Sequence, residues 1–329
     1  MPFKHNLNNT STSWLDIAAE IMLYGSLEKS RLGDINEIVN FNASFKNPTL
    51  RYINPVGRNF NLPFAITDFV DIMLGHNPGN AKFFNSKMNN YLNENGIFDG
   101  AYGPRIQSSK FTSQNQFDRC YYELSRFPDS RRAVINIFDS HQENFDGKDV
   151  ACTISLQFLL RDKKLHLITT MRSEDVFLGY CYDTFIFQTM QSYMAALLGC
   201  ELGTYYHNVG SLHLYVSDID KLKMCTTNLN TMTYSHSAPC FITLPIFYKD
   251  LMILDSIIDD IVKNKLQFQL VDLMINNIFD KYYTTDLVYV MIAEYCRRNK
   301  MYDMMNVYVS KIRNEYVDYF EQKMQRALM

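Results

Sequence analysis

With 329 residues, 47% of them hydrophobic and 14% aromatic, the chain can bury a large core and reads as one enzyme-sized domain with an appendage, not as a disordered segment. A net charge of −3 and a pI of about 6.2 exclude a global basic field for a nucleic-acid polymer or a membrane surface, so any anion must be held locally. Seven cysteines (120, 152, 181, 200, 225, 240 and 296) without a CxxC or a tight Cys/His cluster argue against a disulfide framework and a zinc site. In chain order, the apolar spacing of Trp14, Ile17, Ala18, Ile21, Met22 and Leu23 predicts an amphipathic helix from Trp14 to about Leu27. Residues 35 to 65 are broken by "NP", "NPVG" and "LP", which predicts short strands and turns. A helix is expected over 65 to 74, closed by Gly75.

The middle of the chain carries strand patterns: "RRAVINIF", "ACTISLQFLL", "LHLITTM" and "GTYYHNVGSLHLYVSD", with "RDKK" at 161 to 164 as the turn of a hairpin. "DTFIFQTMQSYMAALLG" reads as a helix ending at Gly199, with Asp183 placed to cap it. From about 250 onward four segments almost without Pro or Gly predict a helical extension. Apolar windows such as "MAALLG" fall short of the ~18 to 20 residues that span a bilayer. The polar start lacks a signal-peptide apolar core, which predicts a cytoplasmic protein.

Four pieces occur in order: "PDSRRAV" (128 to 134), "ACTISLQFLLRD" (151 to 162), "MRSEDVFLGYCYD" (171 to 183) and "GSLHLY" (210 to 215). Together with "SRLG" (30 to 33) and "GAYGPR" (100 to 105) they resemble the thymidylate synthase family, including the deoxycytidylate and nucleotide hydroxymethylases. The resemblance implies an α+β fold, a thymidylate synthase-like mixed β-sheet with flanking helices, in a catalytic domain over 1–247 followed by a helical extension over 248–329. It also implies 5,10-methylenetetrahydrofolate as cofactor, a pyrimidine mononucleotide as substrate, and a homodimer with shared active sites.

A cysteine in an apolar strand is by itself a packed small hydrophobe, but the resemblance makes Cys152 the nucleophile. A thiolate added to carbon 6 of a pyrimidine turns carbon 5 into a nucleophile that accepts a one-carbon unit, and neighbouring arginines favour the thiolate. Cys240, in "SAPCF", shows the Pro-Cys pair usual in the family, yet lies after the His-x-Tyr motif and is assigned a structural role. Arg31, Arg131, Arg132 and Arg172, each alone a surface ion-pair former, match the family's phosphate-binding positions, with Ser173 as a hydroxyl donor. Arg131 and Arg132 correspond to the pair that reaches into the partner's site. His213 and Tyr215, otherwise ordinary neighbours on a half-buried strand face, match the sugar-binding pair.

Asp183 stands where synthases carry Asn. Cytosine presents an amino donor and a ring acceptor, the reverse of uracil, and a carboxyl holding a proton can accept from the first and donate to the second. Such polar mismatches discriminate by ~10⁴ or more, so Asp183 favours a cytidine nucleotide. The resemblance further places Asp175 at the folate, Tyr102 near the reacting carbon, and Gly179 where base or cofactor approaches closely. The general acid/base falls on Asp68, with Asp71 as a competing candidate. Thr153, Met171 and Ser211 depart from the synthase pattern, and the only Trp is Trp14. These departures fit a rebuilt water network and hydroxymethylation of dCMP or CMP. A thymidylate synthase or C5-methyltransferase, and an inactive nucleotide-binding protein, are the alternatives.

Overall fold

A mixed sheet of seven strands organises the chain in the computed structural model, which describes residues 4–7, 10–46, 52–107, 114–141, 143–225, 241–281, 283–313 and 316–327. The elements run β1 (Lys4–Leu7), α1 (Thr10–Tyr24), β2 (Ser26–Ser30), β3 (Gly33–Phe45), α2 (Leu62–Leu74), α3 (Ala81–Phe84), α4 (Tyr102–Gln107) and α5 (Gln116–Arg126). There follow β4 (Val134–Asn136), β5 (Thr153–Arg161), β6 (Lys164–Asp175), α6 (Tyr180–Leu198), β7 (Glu201–Tyr215) and α7 (Ile219–Lys223). The C-terminal part holds α8 (Leu244–Val262), α9 (Phe268–Asn277), α10 (Tyr283–Arg298), α11 (Tyr302–Val309) and α12 (Val317–Ala327). The spatial order is β1-β3-β7-β6-β5-β4, with β2 paired to β3. β6 and β7 run parallel, joined by α6 as a crossover, and β5 and β6 form an antiparallel hairpin. This is the expected α+β architecture of a thymidylate synthase-like mixed sheet.

The hairpin turn is where "RDKK" predicts it. Asp162 and Lys163 both take positive φ, 50° and 60°, the backbone twist that a two-residue hairpin needs. α2 starts at Leu62, three residues before the expected start, because the Asn61 side chain accepts from Phe64 N at 3.3 Å and Pro63 fits the first turn. Gly75 closes it at φ 79°, with its amide donating to the last turn.

Three expectations need correction. The region from 35 holds not only short strands but β3, thirteen residues long. Its buried Ile35, Ile38 and Phe41 are spaced by three, which hides the alternation of a strand. α1 ends at Tyr24, and Leu27 belongs to β2. Asp183 does not cap α6: Gly179 is the cap residue, without a side-chain bond, and Asp183 lies inside the first turn. Asp175 instead holds the turn that precedes α6, its Oδ1 accepting from Phe177 N at 2.7 Å and Leu178 N at 3.0 Å.

The main core joins α1, α2, α6 and the sheet to the C-terminal helices. Tyr193 of α6 donates or accepts at 2.7 Å with Thr284 Oγ1, and Thr189 does so at 3.1 Å with the Tyr283 hydroxyl. α8 and α10 also pack on α2. Trp14 is buried under the sheet-to-helix turn, its Nε1 donating to Val176 O at 2.7 Å. Among the described residues no helix is long and apolar enough to cross a membrane.

Candidate active site

Cys152 sits just before β5, where the register against β6 shifts between Thr153 and Ser155. Such a bulge re-aims side chains beside it. The position is braced from two sides. Arg172 of β6 spans the turn, Nε donating to Ala151 O at 2.9 Å and Nη2 to Val150 O at 2.8 Å, and Nη2 lies 3.6 Å from Cys152 Sγ. On the other side Glu143 accepts from Ala151 N at 3.2 Å and is ion-paired to Arg105, the last residue of "GAYGPR". Both partners are buried, and Arg105 also donates to Ile137 O at 3.0 Å and Asp99 O at 2.8 Å. Gly210 is required beneath this turn, because a Cβ there would meet the Arg172 carbonyl oxygen at 2.9 Å.

Burial pushes the Cys152 thiol up to about 11, against the pull of Arg172. The arginine therefore favours the thiolate as expected, but burial outweighs it and Cys152 is a thiol near neutral pH. Asp149, Glu174 and Asp183 also act on this sulfur, raising its pKa when ionised.

Tyr102 of α4 faces Cys152 and Asp183. Its oxygen accepts from Thr153 N at 3.3 Å and Thr153 Oγ1 at 3.0 Å, which leaves its own proton to be donated elsewhere. Burial holds the phenol well above its ordinary value. Asp183, from α6, is raised well above the usual carboxylate range by burial and by the Glu174 carboxyl. Asp68 of α2 acts on Asp183, and burial followed by Asp71 raises Asp68 to about 7.

Asp71, the competing candidate, turns toward a different cluster. Its Oδ1 is 3.3 Å from His76 Nδ1, and with Asp255 of α8 these three place ligand-type atoms within 4.8 Å of one another. Burial raises Asp71 to about 7.

His213 and Tyr215 share one face of β7, their rings edge-on at 5.3 Å. His213 is buried with Nδ1 unpartnered. Asp175 keeps Oδ2 buried and without a partner, after Oδ1 is spent on the turn. Ser173 pairs in register with Ser211, whose hydroxyl donates to Glu37 of β3. Gly179 adopts ordinary helical φ, and a Cβ there would lie 3.5 Å from Asp183 Oδ2, an uncrowded distance. Nothing in the protein alone demands glycine at this position.

The remaining arginines stand apart from the thiol. Arg31 lies in the β2–β3 turn, exposed, with Nη1 3.5 Å from Gly147 O. Arg131 and Arg132 follow α5 and are exposed; Arg132 Nε binds Glu123 at 3.0 Å and Gln157 donates to Arg131 O at 2.9 Å. Cys240 lies outside the described residues.

Several site residues escape the sequence reading. Glu174 and His207 are fully buried partners at 2.6 Å. Tyr91 faces Asp175, Asp149 and Cys152. Arg58 packs its guanidinium 4.9 Å from the Phe177 ring and 5.6 Å from that of Tyr182, and donates to Leu178 O at 3.5 Å. It thereby pins the turn that leads to Asp183. His207 is legible in principle, since it falls on the same strand face as Tyr205 and Val209, all buried.

Residues 77–233 match the family model described as thymidylate synthase. A deoxyuridylate hydroxymethyltransferase of Bacillus phage SP01 is 31% identical over 217 residues, 62% of this chain and 57% of that protein. Thymidylate synthases of Bacillus licheniformis and Bacillus subtilis (strain 168) are each 30% identical over 136 residues, 40% of this chain and 48% of theirs. The chain thus spans about half the length of the curated relatives it matches. The matched stretch from 77 to 233 contains Cys152, Arg172 and Asp183 and is similar to the thymidylate synthase family.

Proposed function

We propose that the chain is a folate-dependent pyrimidine nucleotide hydroxymethylase that places a one-carbon unit on carbon 5 of dCMP or CMP. The observation that carries this reading is the Asp183 carboxyl placed to act on Cys152 of the Cys152–Arg172 pair and raised, by burial, well above the usual carboxylate range. Such a carboxyl accepts from the 4-amino group and donates to the ring nitrogen of cytosine. Cys152 adds to carbon 6 as the thiolate, which requires its proton to leave, and Arg172 stabilises the anion so formed. Asp68, near pH 7 in its own titration, and neutral Tyr102 hold and move protons next to the reacting carbons. Arg172 and Ser173, with Arg31, bind the phosphate, and His213 with Tyr215 the sugar.

Methylenetetrahydrofolate, when bound, supplies the one-carbon unit. Asp175 suits it, since Oδ2 is a buried acceptor that the chain itself leaves unsatisfied. Residues 1–247 carry the chemistry in this reading and 248–329 brace it. Arg131 and Arg132, both exposed, act in the partner's site of a homodimer in this reading. Large apolar side chains exposed around β2 and β3, Leu23 (73%), Leu27 (68%), Leu32 (70%) and Val39 (72%), support such an interface.

A second substrate, the deoxyuridine nucleotide, is favoured by the similarity to the phage deoxyuridylate hydroxymethyltransferase. The test is product mass from dCMP, CMP and dUMP with methylenetetrahydrofolate, for wild type and Asp183→Asn. A hydroxymethyl product from a cytidine nucleotide, with preference moved toward dUMP by the amide, is expected. A methyl product would instead make the chain a methylating enzyme, and nucleotide binding without turnover a binding protein. An unchanged choice of base in the variant would remove Asp183 from base reading.

A further inference from the structure

Behind Asp183 lies a row of buried polar groups that the chemistry above does not use. The Tyr205 hydroxyl is 2.6 Å from His207 Nδ1, and His207 Nε2 is 2.6 Å from Glu174 Oε2. The three residues are 0%, 0% and 3% exposed, and Tyr180 closes the row with its ring edge-on to the imidazole at 5.0 Å. The row joins β7 to β6, neighbouring parallel strands, and ends on α6, where Glu174 and Asp183 meet beside Gly179: from a Cβ built there, Asp183 Oδ2 would be 3.5 Å away and Glu174 Cγ 3.7 Å. Glu174 Oε1 is buried and has no hydrogen-bond partner.

A buried set of this kind is costly to assemble, and apolar side chains of the same volume would hold the strands as well. Its distinctive effect is on the proton of Asp183. The groups facing Asp183 are Glu174 from β6, His207 and Tyr205 from β7, Asp68 from α2, Tyr102 from α4, and Cys152. Those facing Glu174 include Asp175, Asp183, Tyr180, Cys181, Tyr205, His207 and Cys152. Burial keeps His207 neutral, lowered to about 4, and raises both carboxyls.

Neutrality alone does not select a base. With the proton on one oxygen, a carboxylic acid presents an acceptor to the 4-amino group and a donor to the ring nitrogen, which is the cytosine pattern. With the proton on the other oxygen it presents a donor to the 4-oxo group and an acceptor to the ring N–H, which is the uracil pattern. Something behind the acid must fix the choice. An Asp183 oxygen that accepts from Glu174 is not the one that carries the proton, so Glu174 as donor leaves the Asp183 proton on the other oxygen, free for the base; with the bond reversed that proton is spent on Glu174 and the base meets acceptors only.

Resting on the cytidine reading above, we propose that Glu174, held by His207 and Tyr205, is a specificity-determining positioning residue that sets which oxygen of Asp183 carries the proton and hence which pyrimidine is accepted. The imidazole can face Glu174 as donor or as acceptor, and the Tyr205 hydroxyl takes the complementary role at Nδ1. Only protons move.

The experiment compares kcat/KM for dCMP and dUMP from pH 6 to 9 in wild type, Glu174→Gln, His207→Gln and Asp183→Asn, with calorimetric binding of each nucleotide as a readout independent of turnover. Glu174→Gln keeps the volume but cannot exchange a proton. It is expected to change the dCMP-to-dUMP ratio by about tenfold or more, chiefly through KM, and to alter the pH dependence of that ratio, with His207→Gln acting in the same direction. If Asp183→Asn changes the ratio while folded Glu174→Gln and His207→Gln leave it and its pH dependence as in wild type, the positioning role is refuted and the base reading survives. If Asp183→Asn also leaves the ratio unchanged, the base reading itself has failed.

Discussion

Replacing Arg172 by Gln removes the one cation within reach of the Cys152 sulfur among the described residues, at 3.6 Å. At that separation two unit charges interact by about 4–5 kcal/mol at an effective dielectric near 20, and by about 1 kcal/mol in bulk water. Arg172 is exposed, so solvent screens it and the thiolate loses between these limits, about 2–3 kcal/mol or roughly a hundredfold in population. The sign is set by the charge: without the cation the thiol, already near 11, ionises still less readily. The more basic thiolate that remains is intrinsically more nucleophilic, which offsets about half of the exponent. A net slowing of about tenfold is therefore expected in the reaction of Cys152 with a small disulfide reagent at pH 8, read at peptide level by mass spectrometry so that Cys120, Cys181 and the other thiols do not interfere. Arg172→Lys keeps the charge without the planar fork and should retain most of the reactivity. A rate for Arg172→Gln within twofold of wild type, with unchanged melting, would refute the electrostatic account of this pair.

Glu143→Ala leaves the Arg105 guanidinium buried without its carboxylate, and a loss of about 3–5 kcal/mol is expected in denaturant unfolding. Asp68 titrates near 7 in the folded chain, against an ordinary value of 3.8 for an exposed aspartate. The native state then binds more protons than the unfolded state between these values, and stability falls as pH rises through that window. Asp68→Asn should flatten the slope of melting temperature between pH 4 and 7, and a slope equal to wild type would place the buried proton elsewhere. Gly75→Ala puts a Cβ at φ 79° and 2.1 Å from Gln107 Cγ. The left-handed backbone alone costs about 1–2 kcal/mol, so a lower melting temperature is expected.

The strand-rich middle is legible because β5, β6 and β7 carry their alternation openly and the hairpin turn falls at Asp162–Lys163. β3 is not, because its buried side chains repeat every three residues ahead of Phe41, next to Asn40 at φ 60°. The last predicted helix, from Met301 onward, divides into α11 and α12. In the site, the order of motifs leads to Cys152, Arg172, Tyr102 and Asp183. The chemistry of Asp183 is only half visible, since it caps nothing: α6 has no side-chain cap, and Asp175, eight residues earlier, holds the turn before it. Glu174 stays hidden because an acid next to Asp175 reads as one more polar residue at a strand end. Its burial depends on His207, thirty-three residues away, and a sequence gives no such pairing.

The C-terminal helices bear on all of this. Asp68 and Asp183 project from α2 and α6, and those two helices rest on α8 and α10, through contacts such as Tyr193 with Phe247 and Thr284. A chain shortened to end before Leu244 would turn that support into wetted apolar surface. The spacing of the two acids is thus set from the far end of the polypeptide, and an attempt to isolate the chemistry as a smaller protein would lose it.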